Sequence, residues 1–254
     1  MSSYNNTKGL ILITSCHKHL NTRIKELVLP EKSSWPIIIV IGDPSLEQQY
    51  IFRDDGIMVI KCEDSYFHLL KKIYTTIEIL LKIYSVEQGI LVCGDDTVFN
   101  YEQLEKFLEL ENKSDYTGFS AHVNPELPKK EYNTFISNYW LTHVDEHHDS
   151  KNGIQGIDIG KMSTLPNVAN VAGCVRYVSL KTIGVILNYM QDINWDCFHY
   201  DEIYGYITLC EDLGSGAILQ MSNIFPVHDS MLVTGNENEF NTGQFAAWST
   251  NKYK

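Results

Sequence analysis

The sequence lacks the features that mark a membrane-embedded protein, a disulfide-bonded protein or a protein that binds zinc through cysteine pairs. No stretch approaches the ~18 consecutive apolar residues of a membrane-spanning helix, and the opening residues, MSSYNNTKG, are polar. The six cysteines are scattered without a CxxC pair, so we expect reduced core thiols rather than disulfides or zinc ligands. These absences predict a cytoplasmic protein with no membrane span.

Positive charge is also scarce. The chain has 20 Lys and Arg against 32 Asp and Glu, a net charge of −12, and no basic cluster that could neutralise nucleic-acid phosphates. We therefore expect no nucleic-acid partner. A small anionic ligand remains possible, but it would need a metal ion or a local positive pocket. The length of 254 residues and the 44% hydrophobic content fit a single α/β domain.

Apolar runs alternate with amphipathic segments along the chain. Strands are predicted at 9–14, 36–41, 57–60, 89–93, 115–119 and 170–178, and helices at 21–29, 65–84, 100–110, 179–190 and 200–213. We expect Asp64 to cap the helix at 65–84, and Gly214 to end the helix at 200–213 before a possible strand at 217–220. This alternation predicts an α/β fold with a mainly parallel, doubly wound sheet.

Two adjacent acids follow the most apolar of these strands. Asp95 and Asp96 come directly after the run ILVC at 90–93 and Gly94. Adjacent carboxylates repel one another, so either a bound cation or a simple turn must account for them. Ligands of doubly wound sheets bind at the carboxyl ends of the strands, and that is where this pair is expected.

The residues around this pair resemble a known family. The segment GDDTVFN at 94–100 is similar to the box DDDTYVN of inverting GT-A glycosyltransferases, in particular the β-1,3-galactosyltransferase and fringe-like group. Four further segments match the family pattern in the same order: ITSC at 13–16 followed by Arg23, DSYFHL at 64–69 followed by Lys72, AGCVRYVS at 172–179, and DEIYGYI at 201–207. Each segment is a weak signal alone, and the ordered set is stronger.

The resemblance implies a GT-A fold, a UDP-sugar donor and a hydroxyl acceptor on a glycan, protein or lipid. Residues 9–120 would form the nucleotide-binding half, 121–230 the acceptor side, and 231–254 a polar tail. In this family the last acid of the box and a histidine near the end of the domain bind the metal. The resemblance therefore implies that Asp96 and His228 are ligands of Mn²⁺ or Mg²⁺, and the ion would stabilise the departing diphosphate. The residues implied on the nucleotide side are Thr14, Arg23, Asp64, Lys72, Asp95 and Gly173.

The same resemblance implies the catalytic base. Inversion requires a carboxylate to take the proton of the attacking hydroxyl, and Glu202 occupies the family's position, with Asp201 as the fallback. The sequence departs from the family at two points. Gly94 replaces the first acid of the box, and the order of Asp201 and Glu202 is swapped.

Simpler interpretations remain for each feature. The acids at 95 and 96 can form a plain turn, and those at 201 and 202 can complement a helix dipole. The chain can also be a degenerate nucleotide-sugar- or glycan-binding protein, or a metal-dependent phosphohydrolase that uses Asp43. His143 and His147 have zinc-binding spacing, although a solvated acidic loop on the acceptor side is the preferred interpretation. The sequence does not identify the sugar, the acceptor, the linkage or the oligomeric state.

Overall fold

The structure is a computed structural model that describes residues 5–30, 32–122, 168–195, 199–201, 210–229, 232–234 and 237–249. The strands in these residues are β1 (Asn5–Thr14), β2 (Ile37–Gly42), β3 (Tyr50–Phe52), β4 (Ile57–Ile60), β5 (Tyr84–Gly94), β6 (Thr97–Phe99), β7 (Tyr116–His122), β8 (Ala169–Ser179), β9 (Val227–His228), β10 (Val233–Thr234) and β11 (Ala247–Ser249). The α-helices are α1 (Arg23–Glu26), α2 (Leu69–Ile83), α3 (Tyr101–Glu109), α4 (Leu180–Met190), α5 (Glu211–Met221) and α6 (Glu237–Phe240). Short 3₁₀ helices span His17–His19 and Tyr66–His68.

Within the described residues, the largest element is an eight-stranded sheet in the order β3-β4-β2-β1-β5-β8-β7-β9. β1 pairs in parallel with β2 and β5, β2 with β4, and β7 with β9. β8 is antiparallel to both of its neighbours, β5 and β7, and β3 is antiparallel to β4. The α/β character is confirmed, and the sheet is mixed. A smaller sheet pairs β10, β11 and β6.

The centre of the sheet is covered on both faces, which explains the continuous apolar runs in its central strands. Leu10 and Leu12 of β1 belong to a core shared with α2, α4 and α5. Ile11 and Ile13 alternate with them and belong to a second core with α3 on the opposite face. All four side chains are buried. No helix in the described part of the chain is long and apolar enough to span a bilayer.

Two predicted helix starts are confirmed. The Asn100 side chain accepts a hydrogen bond from the backbone N–H of Gln103 at the start of α3. Ser179 does the same for the N–H of Thr182 at the start of α4. Each cap satisfies one of the N–H groups that a helix start leaves without an intrahelical partner.

Two other predictions are wrong. Asp64 does not cap a helix, because its carboxylate accepts hydrogen bonds from distant parts of the chain instead. Gly214 does not end a helix and 217–220 is not a strand, because both lie inside α5. α5 packs closely on β8: a Cβ at Gly216 would lie 2.7 Å from the carbonyl oxygen of Ala169. The small residues that look like a helix stop therefore permit a close helix–sheet contact.

The contact between α5 and β8 includes a buried ion pair. Arg176 of β8 is fully buried, and its guanidinium donates to the carboxylate of Glu211 in the first turn of α5.

We predict that Glu211→Ala lowers the free energy of unfolding by about 3–5 kcal/mol, because it leaves the buried guanidinium charge without its partner. Urea unfolding measures this. Glu78→Ala is the control, since Glu78 forms an exposed pair with Lys82 and should change stability little. Equal effects of the two substitutions would contradict the prediction.

Candidate functional site

The carboxyl ends of the parallel strands β1, β2, β4 and β5 meet at one edge of the large sheet. Asp64 follows β4, and Asp95 and Asp96 form the turn between β5 of the large sheet and β6 of the small one. The segment that leaves β1, residues 15–26, runs across this edge and contains the 3₁₀ helix His17–His19 and α1. The sheet topology thus brings together three segments that are far apart in sequence.

Asp95 contacts several residues of the segment that follows β1. Its Oδ2 accepts a 2.5 Å hydrogen bond from Ser15 Oγ and lies 2.7 Å from His19 Nδ1, while its Oδ1 lies 3.1 Å from Arg23 Nη1. Its backbone N–H donates to the Thr14 carbonyl at 3.1 Å. The Asp95 side chain is only 6% exposed. It therefore fixes the segment after β1 to the end of β5.

Asp64 anchors the same segment from the other side. Its Oδ2 accepts from the backbone N–H of His17 at 2.6 Å, and its Oδ1 accepts from Gly42 N–H at 2.9 Å and from Lys72 Nζ at 3.0 Å. Lys72 also donates to the carbonyl of Ser15 at 2.7 Å and is almost fully buried. Burial alone would raise the pKa of the Asp64 carboxyl, but the charge of Lys72 and the two N–H groups outweigh burial and lower that pKa below its ordinary value of 3.8.

Asp96 lies beside this network. Burial raises the pKa of the Asp96 carboxyl, and the charge of Asp95 raises it further, while Arg23 and His19 act in the opposite direction. Gly94 has a local role here, because a Cβ at that position would lie 2.7 Å from Asp96 Oδ1. A larger residue at 94 would require the Asp96 carboxylate to move.

Two further predicted nucleotide-side residues lie at the same edge. The Thr14 hydroxyl donates to the Cys93 carbonyl at 3.1 Å across β1 and β5. Gly173 lies in β8, two residues before Val175, which pairs with Cys93. Because β8 runs antiparallel to β5, Gly173 is displaced from that pair toward the carboxyl edge. The structure therefore brings the six predicted nucleotide-side residues to one edge of the sheet.

The predicted second metal ligand lies elsewhere. His228 is in β9, which is separated from β5 by β8 and β7; at the usual strand spacing this is about 14 Å. The exposed His228 ring packs edge-on against Phe119, with ring centroids 5.3 Å apart.

Of the two candidates for the catalytic base, the structure describes only Asp201. Glu202 and the run His143 to Asp149 lie outside the described residues. Asp201 is half-buried near the last turn of α4: burial raises the pKa of Tyr189, and the charge of Asp201 adds to that rise. Nothing described connects Asp201 to the cluster at Asp95.

The donor set at the edge suits a divalent cation only in part. Asp95 is already bonded at both oxygens, Gly94 supplies no carboxylate, and no group of three or more His, Cys, Asp or Glu suited to a metal occurs among the described residues. Asp96 remains. Mg²⁺ and similar cations at phosphate sites are commonly held by one or two carboxylates together with substrate phosphates. Asp96 therefore fits a cation that a bound diphosphate helps to hold.

Sequence reasoning missed Ser15 and His19. Ser15 lies in the segment ITSC but has no predicted role, and His19 lies in none of the resembling segments. Each acquires a role through Asp95, about 80 residues away in sequence. Asp43, a candidate for phosphohydrolase chemistry, accepts hydrogen bonds from the N–H and hydroxyl of Ser45 within a local turn.

Comparison with known proteins adds no family assignment. The chain matches no family model and no curated protein sequence. The likeness to GT-A glycosyltransferases therefore depends on the sequence segments, together with the arrangement of their residues at the carboxyl edge.

The lowered pKa of Asp64 predicts a pH-dependent contribution to stability. A carboxyl whose pKa is depressed on folding stabilises the fold above its unfolded pKa, and that contribution is lost as the pH falls through the lower folded pKa. We expect Asp64→Asn to cost about 1.5–3 kcal/mol at pH 7, because it removes charge-assisted hydrogen bonds. The difference from wild type should shrink below about pH 4. Urea unfolding at pH 7 and at pH 3 measures this, and an equal difference at both pH values would contradict it.

Proposed function

We propose that the protein is an inverting glycosyltransferase of GT-A type that transfers a sugar from a UDP-sugar to an acceptor hydroxyl. One observation carries the proposal. Residues from three of the resembling segments, namely Arg23, Asp64 with Lys72, and Asp95, converge through direct contacts on the loop that follows β1. The convergence of these segments supports a shared site, and the mixed eight-stranded sheet is consistent with a GT-A fold without being specific to it.

The proposed donor site lies over this network. Lys72 and Asp64 hold the loop after β1 rigidly, and a rigid site avoids the cost of ordering it when the donor binds. Arg23 supplies a planar guanidinium suited to phosphate oxygens. Gly173 allows the backbone of β8 to approach the donor closely.

Asp96 is the proposed ligand for Mn²⁺ or Mg²⁺. Such a cation supplies Lewis-acid stabilisation of the negative charge on the departing diphosphate, commonly several kcal/mol. Burial and the charge of Asp95 raise the pKa of the Asp96 carboxyl even though Arg23 and His19 oppose them, and a bound cation would favour the charged carboxylate.

Glu202 is the proposed general base, with Asp201 as the alternative. The base accepts the proton of the acceptor hydroxyl as its oxygen attacks the anomeric carbon opposite the diphosphate. Adjacent helical residues point about 100° apart, so only one of the two carboxylates can face the acceptor if this segment is helical.

A second candidate is a binding protein that holds a nucleotide-sugar without transferring the sugar. The observation in its favour is that both oxygens of Asp95 are engaged within the protein, while position 94 provides no acid. Such a protein would bind the donor but release no nucleotide from it.

A UDP-release assay separates the two candidates. The protein is incubated with Mn²⁺ and a panel of UDP-sugars, and thermal shifts with UDP, GDP and simple phosphate esters are measured in parallel. The transferase proposal predicts stabilisation by UDP and slow release of UDP from one donor. Stabilisation without release would favour the binding protein, and stabilisation by phosphate esters alone would contradict both.

A further inference from the structure

Asp95 contacts two basic side chains, Arg23 and His19, at the same time. Asp95 is only 6% exposed, whereas its partners Arg23 and His19 are 12% and 16% exposed. Asp95 is therefore the most deeply buried of the three side chains, and both basic partners are partly exposed beside it. Each basic side chain contacts a different carboxylate oxygen, so one acid fixes both in place.

The orientation of the His19 ring is set by this contact. Its Nδ1 faces Asp95 Oδ2 at 2.7 Å, and a carboxylate at that distance accepts the Nδ1 proton. Nε2, on the far side of the ring, is then the nitrogen that faces away from the carboxylate. When the ring is protonated, Nε2 is a donor that an anion can accept.

Lys72, a further basic residue near this edge, has a different role. Lys72 is buried and donates to Asp64 and to the Ser15 carbonyl, so it holds the loop rather than facing solvent. Arg23 and His19 are the basic pair that Asp95 presents at the edge. They lie near enough to Asp96 for both to lower its pKa against the effects of burial and Asp95.

We propose that His19 and Arg23 together bind the diphosphate of a nucleoside diphosphate sugar, with Asp95 as the positioning residue for both. The choice of a nucleotide ligand rests on the proposed function. Two fixed donors, the guanidinium of Arg23 and the Nε2–H of a protonated His19 ring, match the separate oxygens of a diphosphate better than those of a single-charge ligand.

The pair also fits the transfer step. The bond between the anomeric carbon and the diphosphate oxygen breaks, and its electron pair remains on that oxygen. The acceptor oxygen bonds to the anomeric carbon and loses its proton to the base. His19 and Arg23 donate to the diphosphate as its negative charge grows, and preoriented donors of this kind stabilise the transition state most.

Isothermal titration with three probes tests the proposal. UDP, uridine and inorganic pyrophosphate are titrated without divalent cation into the wild type, His19→Gln and His17→Gln. His17 is the matched control, because it lies in the same 3₁₀ helix, is 49% exposed and contacts Asp64 instead. We expect His19→Gln to weaken UDP and pyrophosphate binding by about tenfold or more, with uridine binding unchanged. His17→Gln should behave as the wild type does.

Each outcome decides a different point. UDP binding that is unchanged in His19→Gln would overturn the role of His19 and leave the transferase proposal standing. An equal loss for uridine and UDP would also overturn it, because His19 would then shape the site generally. Pyrophosphate binding through His19 without any uridine affinity would support the diphosphate site and contradict a UDP-sugar donor. No binding of any probe by the wild type would overturn both. If His19→Gln fails to fold, Arg23→Lys, which keeps the charge but loses the fork, gives the same comparison.

Discussion

Replacement of Asp96 by Asn should reduce sugar transfer by about 100-fold or more, equivalent to about 3 kcal/mol of lost transition-state stabilisation. Asn has nearly the same shape but lacks the negative charge that holds a cation on the diphosphate. The fold should survive, because Asp96 lies in the turn between β5 and β6 and its charge is disfavoured by burial and by Asp95. Transfer of a radiolabelled sugar at saturating Mn²⁺ measures the effect.

Asp54→Asn is the control for this experiment. Asp54 is an exposed acid in the turn between β3 and β4, which lies at the amino end of β4 and therefore opposite the carboxyl edge. Its replacement should leave turnover unchanged. Near-normal turnover in Asp96→Asn would remove the proposed metal ligand from the account. A variant with lost activity but also lowered thermal stability would show that the charge acts on the fold.

Replacement of Glu202 by Gln should lower the rate of transfer by about 10²–10⁴-fold, the usual contribution of a general base. The affinity for UDP should not change, because the base contacts the acceptor rather than the donor. Single-turnover transfer and UDP titration on the same preparation separate the two effects. Asp201→Asn is the matched variant, since it removes the neighbouring carboxylate.

The two variants distinguish three possibilities. Loss of transfer in Glu202→Gln alone supports Glu202 as the base. Loss in Asp201→Asn alone transfers the role to Asp201, whose order relative to Glu202 is swapped from the family pattern. Normal transfer in both variants would mean that this segment supplies no base.

Local sequence patterns predicted those strands and helix starts that depend on burial or on capping by nearby residues. The second halves of β1 and β5 are continuously apolar because both faces of the sheet are covered there, and that pattern is visible without any partner strand. The caps at Asn100 and Ser179 depend on residues three positions ahead. The direction of β8 was not predictable in the same way, because a continuously apolar strand reads alike in parallel and antiparallel pairing.

Only those site residues that carry a local sequence signal or belong to a resembling segment were predicted. Asp95 and Asp96 stand out because acids directly after a buried strand are costly, and Lys72 and Arg23 were identified only through the resemblance. His19 was missed because its partner is 76 residues away, and long-range contacts leave no local pattern. Asp64 was misassigned as a helix cap because its position before a helix is a typical capping signal, whereas its actual partners, Gly42 and His17, come from other segments.

A crystal soaked with Mn²⁺ and UDP is the most direct test of the donor site. The account predicts anomalous density for Mn²⁺ beside the Asp96 carboxylate, with the diphosphate between that ion and the side chains of Arg23 and His19. A nucleotide bound elsewhere, or an Asp96 carboxylate that contacts neither ion nor phosphate, would contradict it.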